Sequence, residues 1–268
     1  MDKAGLWKQI RQKSSMLCVG LDSDESKMPE YFQLTTHPQI VFNKAIIEAT
    51  KDLAVAYKLN TAFYETRGAK GWHAMEETLL DIPDNCLKIA DAKRGDIGNT
   101  STMYAKAFFE QLEFDAMTIA PYMGIDSVKP FLEFQGKWVI ILAVTSNEGS
   151  KNFQFQELKS GLKLFEEVLN TTSKWGTDSQ IMYVVGATHP EFLGTIRSIV
   201  PEHFLLVPGV GAQGGDLKAV LKNGITGSGG LLINSSRGIL FAGKGEDAIP
   251  AARREAQRLQ QLMAPFIR

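Results

Sequence analysis

Short runs of apolar and β-branched residues alternate along this chain with longer stretches whose apolar positions recur every three or four residues. The runs predict strands over Met16 to Asp22, Ala54 to Asn60, Leu87 to Lys93, Ala116 to Ala120, Trp138 to Val144, Ile181 to Gly186, Phe204 to Pro208 and Leu231 to Asn234. The periodic stretches predict helices near Gln39 to Lys51, Gly71 to Asp81, Thr100 to Gln111, Ile125 to Gln135, Phe155 to Ser173, Pro190 to Ser198, Asp216 to Asn223 and Asp247 to Met263. Eight consecutive βα units favour closure as a (β/α)8 TIM barrel, whereas five or six would suit an open doubly wound sheet. No low-complexity linker interrupts the alternation, so a single α/β domain over residues 1–268 is expected. The opening MDKAGLWKQIRQKSS reads as an amphipathic N-terminal helical extension.

Barrel sites gather at the carboxyl ends of the strands, and phosphate is often held by the loops after strands seven and eight. Asp22, Lys58, Asn60, Asp91, Lys93, Thr145 and Ser146 all fall at or just past predicted strand ends. Side chains alternate faces along a strand, which groups Ile89, Asp91 and Lys93 on one face and Ala56, Lys58 and Asn60 on another. If Ile89 faces the interior, Lys58, Asp91 and Lys93 share one pocket mouth, with Asp96 three residues further on. Alone, D-x-K-x-x-D reads as surface ion pairs of little energetic consequence. At a barrel mouth, buried ions cost several kcal/mol each and persist mainly where they do chemistry.

Composition narrows the ligand. The chain of 268 residues is 44% hydrophobic with a formal net charge of -1, which gives no electrostatic reason to expect nucleic acid or an anionic membrane as partner. A small molecule is the expected ligand. The longest apolar stretch, Trp138 to Val144, is far shorter than the roughly 20 residues that span a bilayer. The first residues lack the apolar core of a signal peptide. Cys18 and Cys86 lie in or beside apolar runs and read as reduced core thiols, which favours the cytoplasm. His37, His73, His189 and His203 show no metal-ligand spacing, so no metal site is expected. Trp72, Trp138 and Trp175 read as packing residues, His189 as a capping or solvent-exposed residue, and Arg253, Arg254 and Arg258 with Glu255 as a solvated helix face.

An ordered set of motifs adds a resemblance. GLD ends strand one, KLN ends strand two and DAKRGDIGNTS closes strand three; AVTSN, PGVGAQGG and NSSRG follow strands five, seven and eight. Together, from Asp22 to Gly238, they resemble the orotidine monophosphate decarboxylase family, and specifically the longer of its two sequence groups, where Gly98 follows Ile97. The resemblance implies a cofactor-free carbon–carbon lyase that converts orotidine 5'-phosphate to uridine 5'-phosphate, the last step of de novo synthesis of that nucleotide.

The resemblance further implies that Lys58, Asp91, Lys93 and Asp96 form an alternating catalytic array. Asp22 and Asn60 would contact ribose, Thr145 and Ser146 the pyrimidine edge, and Gln213 and Arg237 the phosphate, with Ile97, Pro208 and Ser236 completing the substrate site. In the family, Asp96 and Thr100 reach the partner subunit's site, which implies a homodimer with shared active sites. Decarboxylation leaves a vinylic carbanion, and Lys93 would be the ammonium that stabilises it and then donates the proton. The glycine-rich PGVGAQGG suits a lid over the phosphate. Two other readings stay open at this point. A related barrel that decarboxylates a sugar-acid phosphate with a divalent metal would want a carboxylate where Lys58 stands, and a non-catalytic phosphosugar-binding barrel would have lost a charged member.

Overall fold

The computed structural model of the chain describes residues 1–210 and 215–267. Its strands are β1 (Leu17–Gly20), β2 (Ala54–Asn60), β3 (Leu87–Arg94), β4 (Ala116–Ile119), β5 (Trp138–Val144), β6 (Ile181–Val185), β7 (Phe204–Pro208) and β8 (Leu231–Ser235). They close in sequence order into a parallel barrel with helices between them, the (β/α)8 TIM barrel expected. The bounds of β2, β5 and β7 coincide with the apolar runs. Residues of β1, β4, β6 and β8 are buried throughout, as parallel strands covered on both faces should be. By contacts the chain groups into two units: Met1, Lys3–Ala92 and Asn234–Arg268 in one, Asp2 and Lys93–Ile233 in the other.

In the first unit the helix Pro38–Thr50 buries Gln39, Phe42, Asn43, Ile46, Ile47 and Thr50, a stripe of helical spacing. It packs against Ala69–Asp81 on one side and Ala248–Met263 on the other. The N-terminal extension forms the helix Lys3–Lys13, which packs on β2. Tyr57 of β2 turns toward the helices, its hydroxyl 2.8 Å from Thr50 Oγ1. Strand parity therefore sends the next residue, Lys58, to the opposite face. The basic run at the chain's end is ion-paired: Arg253 holds Asp52 through two nitrogens, Arg254 pairs with Asp247 and Arg258 with Glu255.

The second unit carries β4 to β7 as parallel neighbours, with a shift of register between Leu142 and Val144 where β5 pairs with β6. The helix Leu164–Thr172 packs on β5 and on Leu193–Ile199. Helix formation over 155–173 is confined to Leu164–Thr172, and over 125–135 to the 3-10 turn Ile125–Ser127 and the short helix Lys129–Leu132. Phe155, Leu158, Leu162, Phe165 and Leu169 do have helical spacing, but the chain turns back between Glu157 and Lys163 at Gly161, whose φ is +81°. Arg197 donates to the carbonyls of Gly224, Val200, His203 and Gly230, clamping the approach to β7 and β8; burial pulls its pKa down to about 10. Among the described residues no helix is long and apolar enough to cross a membrane.

Candidate active site

Burial relaxes where the strands of the first unit end, and the polar residues sit there. Lys58 is 4% exposed, yet its Nζ donates to Asp91 Oδ2 at 2.9 Å and approaches Asp22 Oδ1 at 3.5 Å. One ammonium thus lies between two carboxylates drawn from β3 and from the segment leaving β1. Burial works against the charged Lys58, but the charges of Asp22 and Asp91 and the bond to Asp91 outweigh it, raising its pKa above the ordinary value. Register explains the meeting: Gly20 pairs with Lys58 across β1 and β2, and Asn60 with Asp91 across β2 and β3. Beneath the trio, Cys18 lies 3.6 Å from Asn234 Oδ1. Burial pushes the Cys18 thiol up to about 12, so it stays neutral beside the two carboxylates. Cys18 and Cys86 are both free and buried.

Asn60 turns its Oδ1 to its own backbone, accepting from Ala62 N at 3.2 Å. Gly20 permits the close approach of β1 to the residues ending β8, because a Cβ there would lie 1.8 Å from Ser236 Oγ. Arg237 opens the short helix Arg237–Leu240, and its side chain is exposed.

In the second unit, Lys93 departs from the extended conformation, with φ at +47°. Strand alternation therefore extends to Asp91 and does not orient Lys93. A non-glycine residue there costs about 1–2 kcal/mol, strain that clusters at functional positions. The Lys93 N–H is anchored to Thr118 Oγ1 at 2.9 Å. Asp96 Oδ1 accepts from the Ile97 N–H at 2.8 Å, and its carbonyl accepts from Ser101 Oγ. Ile97 is 57% exposed, and Thr100 is exposed.

Thr145 is held twice by a residue that sequence reasoning passed over: its N–H donates to Gln154 Oε1 at 2.8 Å, while Gln154 Nε2 donates to its hydroxyl at 2.8 Å. Thr145 Oγ1 in turn donates to Asn147. Ser146 lies so close to Gly186 that a Cβ there would meet its backbone N at 2.7 Å. Pro208, at the end of β7, accepts from Ala187 N at 2.9 Å. Gln213 and the middle of PGVGAQGG lie outside the described residues. His189 departs from the expectation of a capping or solvent-exposed residue: it stands at the N-cap of the 3-10 turn Pro190–Phe192 without a side-chain capping bond, and its side chain is largely covered. It packs on Phe155 and lies 3.4 Å from Glu191, because Phe155 and Phe192 build an aromatic wall around that loop.

A closed barrel whose strands end in ionised and polar side chains is the architecture of an α/β-barrel enzyme. Residues 15–252 match the family described as orotidine 5'-phosphate decarboxylase / HUMPS. The chain belongs to that family. It is 54% identical over 267 residues to the orotidine 5'-phosphate decarboxylase of Bacteroides fragilis strain YCH46, covering 98% of this chain and 97% of that protein. The solved OMP decarboxylase of Leishmania donovani is 37% identical, with a TM-score of 0.83 over 98% of this chain and 99% of that one. The solved UMP synthase of the same organism is 38% identical, with a TM-score of 0.83 over 95% of this chain but only 56% of that longer one.

Proposed function

We propose that this chain decarboxylates orotidine 5'-phosphate to uridine 5'-phosphate as one catalytic domain. The observation that carries the reading is the buried Lys58 ammonium between Asp22 and Asp91 at the strand ends. An ion trio in that position contributes little net stability for its desolvation cost and is retained where charge does work. In the proposed step the bond from the pyrimidine ring carbon to the carboxylate breaks, carbon dioxide leaves and the electron pair stays on the ring carbon. The Lys93 ammonium stabilises that charge, donates its proton to the carbon and is reprotonated from solvent. Asp91 and Asp96 hold the Lys93 ammonium in place, and Lys58 balances Asp91. No cofactor enters this chemistry. Asp22 and Asn60 are assigned to the ribose, and Thr145 and Ser146 to the pyrimidine edge; Gln213 and Arg237 are assigned to the phosphate. Ile97, Thr100, Pro208 and Ser236 complete the nucleotide's surroundings.

The rival within the barrel group uses a divalent metal, which would need carboxylates such as Asp22 and Asp91 for itself. Here an ammonium already takes both. Mixing the purified protein with orotidine 5'-phosphate should produce the fall in ultraviolet absorbance that accompanies loss of the carboxylate, unchanged by a chelator. No fall rejects the activity, and a fall that the chelator abolishes assigns the metal-dependent reading.

Arg237 should act through binding. Arg237→Ala is expected to raise KM for orotidine 5'-phosphate by about 10–100-fold, the loss of a charge-assisted contact of ~1.5–3 kcal/mol. Turnover of the nucleoside without its phosphate should stay as it was. An unchanged KM for the nucleotide removes Arg237 from the phosphate site.

The working form is read as a homodimer in the cytoplasm, with Asp96 and Thr100 completing the partner's site. In the second unit Ile97, Met103, Tyr122, Met123 and Ile125 are all large, apolar and exposed, and Tyr122 is 95% so. They lie on adjoining segments, since the helix Gly98–Lys106 and the turn Pro121–Met123 both pack against Ile125–Ser127. Apolar surface of this kind, rimmed by Asp126, Lys129 and Glu133, marks an interaction face. Tyr122→Glu should leave the monomer folded and weaken the dimer at least tenfold in sedimentation velocity. Activity should fall on dilution in parallel. A dimer of undiminished strength moves the interface elsewhere.

A further inference from the structure

Away from the proposed active-site residues, the first unit holds a second concave site whose chemistry no step of the reaction uses. A pocket of about 220 Å3 lies beside the helices Pro38–Thr50 and Ala69–Asp81. Thr36, His37, Arg67, Lys70 and His73 supply its polar lining, with Ile40 as apolar floor, and none of the residues lining it is acidic. The two imidazoles meet edge to face at 6.3 Å between ring centres. Each carries at least one N–H donor in any protonation state.

The placement of these groups runs against the ordinary electrostatics of helices. A helix N-terminus carries partial positive charge and favours acidic side chains in its first turn. Both 13-residue helices begin at this pocket, neither has an acid in its first turn, and neither N-cap side chain, His37 or Gly68, accepts a capping bond. Lys70 instead puts a cation on the second residue of its helix, where it is repelled. Arg67 is compensated, being 2.6 Å from Glu25 and donating to Gln39 Oε1 at 3.2 Å. Lys70 makes no ion pair among the described residues. The pocket is therefore positive from three sources at once: the lysine, the imidazole N–H groups and two uncapped helix ends.

We propose that this pocket is a binding site for a phosphoryl polyanion, separate from the site that takes the phosphate of the nucleotide substrate. Its volume lies below the ~300–1,000 Å3 typical of drug-sized ligands and suits a diphosphate group better than a whole nucleotide. The diphosphate can be free or the tail of a nucleotide whose base and sugar remain outside. Phosphoryl oxygens would accept from Lys70 Nζ, the imidazoles and the first-turn N–H groups together, the arrangement by which helix ends hold phosphate elsewhere.

The test is equilibrium dialysis with labelled inorganic pyrophosphate on the whole protein, its proposed active site first saturated with uridine 5'-phosphate. One equivalent of pyrophosphate per chain should bind. Lys70→Glu and the double variant His37→Ala, His73→Ala should each weaken it at least tenfold, with melting temperatures near that of the parent because all three side chains are exposed. A parallel arm with labelled adenosine 5'-triphosphate identifies the source: tighter binding than pyrophosphate assigns a nucleotide tail, equal or weaker binding a free diphosphate. The absence of binding in both arms at millimolar ligand overturns the proposal. Binding that both variants leave intact overturns it equally.

Discussion

Lys93→Ala is expected to fold normally while turnover of orotidine 5'-phosphate falls by at least about 10⁴-fold. The figure combines two losses, a positioned general acid worth ~10²–10⁴ and a preorganised charge at the developing carbanion worth ~10²–10³. KM should move far less than kcat, because in the proposed step the ammonium acts on charge that appears only in the transition state. The backbone supplies a control. With φ at +47°, residue 93 is strained for any side chain bearing a Cβ. Lys93→Gly should therefore be more stable than Lys93→Ala by about 1 kcal/mol in denaturant unfolding, though equally inactive. Residual activity within tenfold of the parent in either variant takes Lys93 out of the mechanism. Equal stability of the two would show that the left-handed conformation stores no strain.

The legible part of this molecule is the part governed by local pattern. Continuous apolar runs marked β2, β5 and β7 to the residue, because parallel strands are buried on both faces and end where polarity begins. The same break in polarity singled out Lys58 and Asp91 as strand-end residues, and parity predicted that Lys58 turns inward. Pattern failed where one signal mimicked another. The heptad-like spacing of Phe155, Leu158, Leu162, Phe165 and Leu169 belongs to a chain reversal followed by a shorter helix, and only Gly161 betrays the turn. It also failed for contacts set by tertiary closure. Gln154 reaches Thr145 from inside the segment misread as helix, and Thr118 anchors Lys93 from a neighbouring strand. The family resemblance gives Asp22 only a ribose contact, whereas the structure sets it 3.5 Å from the Lys58 ammonium. Nothing in a lone lysine announces a positive φ, so the turn at Lys93 is not legible in the sequence.

Lys58→Met tests whether the buried trio serves stability or function, since methionine keeps the apolar stem and removes only the charge. Asp22 and Asp91 are then left facing one another without their cation, and breaking a buried pair in this way costs ~3–5 kcal/mol. For a chain of this size that lowers the melting temperature by on the order of 10 °C. The pH dependence has a definite sign. Lys58 has a raised native pKa, so its stabilising contribution is complete below the ordinary value of 10.5 and is lost only as pH rises through the native value. The stability gap between parent and variant should accordingly be level from neutral pH to about 10 as far as Lys58 titration governs it, and narrow above that. Adding Asp22→Asn and Asp91→Asn to Lys58→Met removes the stranded charges and should restore most of the lost stability, because well-packed neutral replacements of buried ions are often neutral or better. Turnover should not return. A triple variant as stable as the parent and inactive shows charges kept at a cost for what they do to the substrate; one that stays equally destabilised shows that the trio is there to hold the barrel's strand ends together.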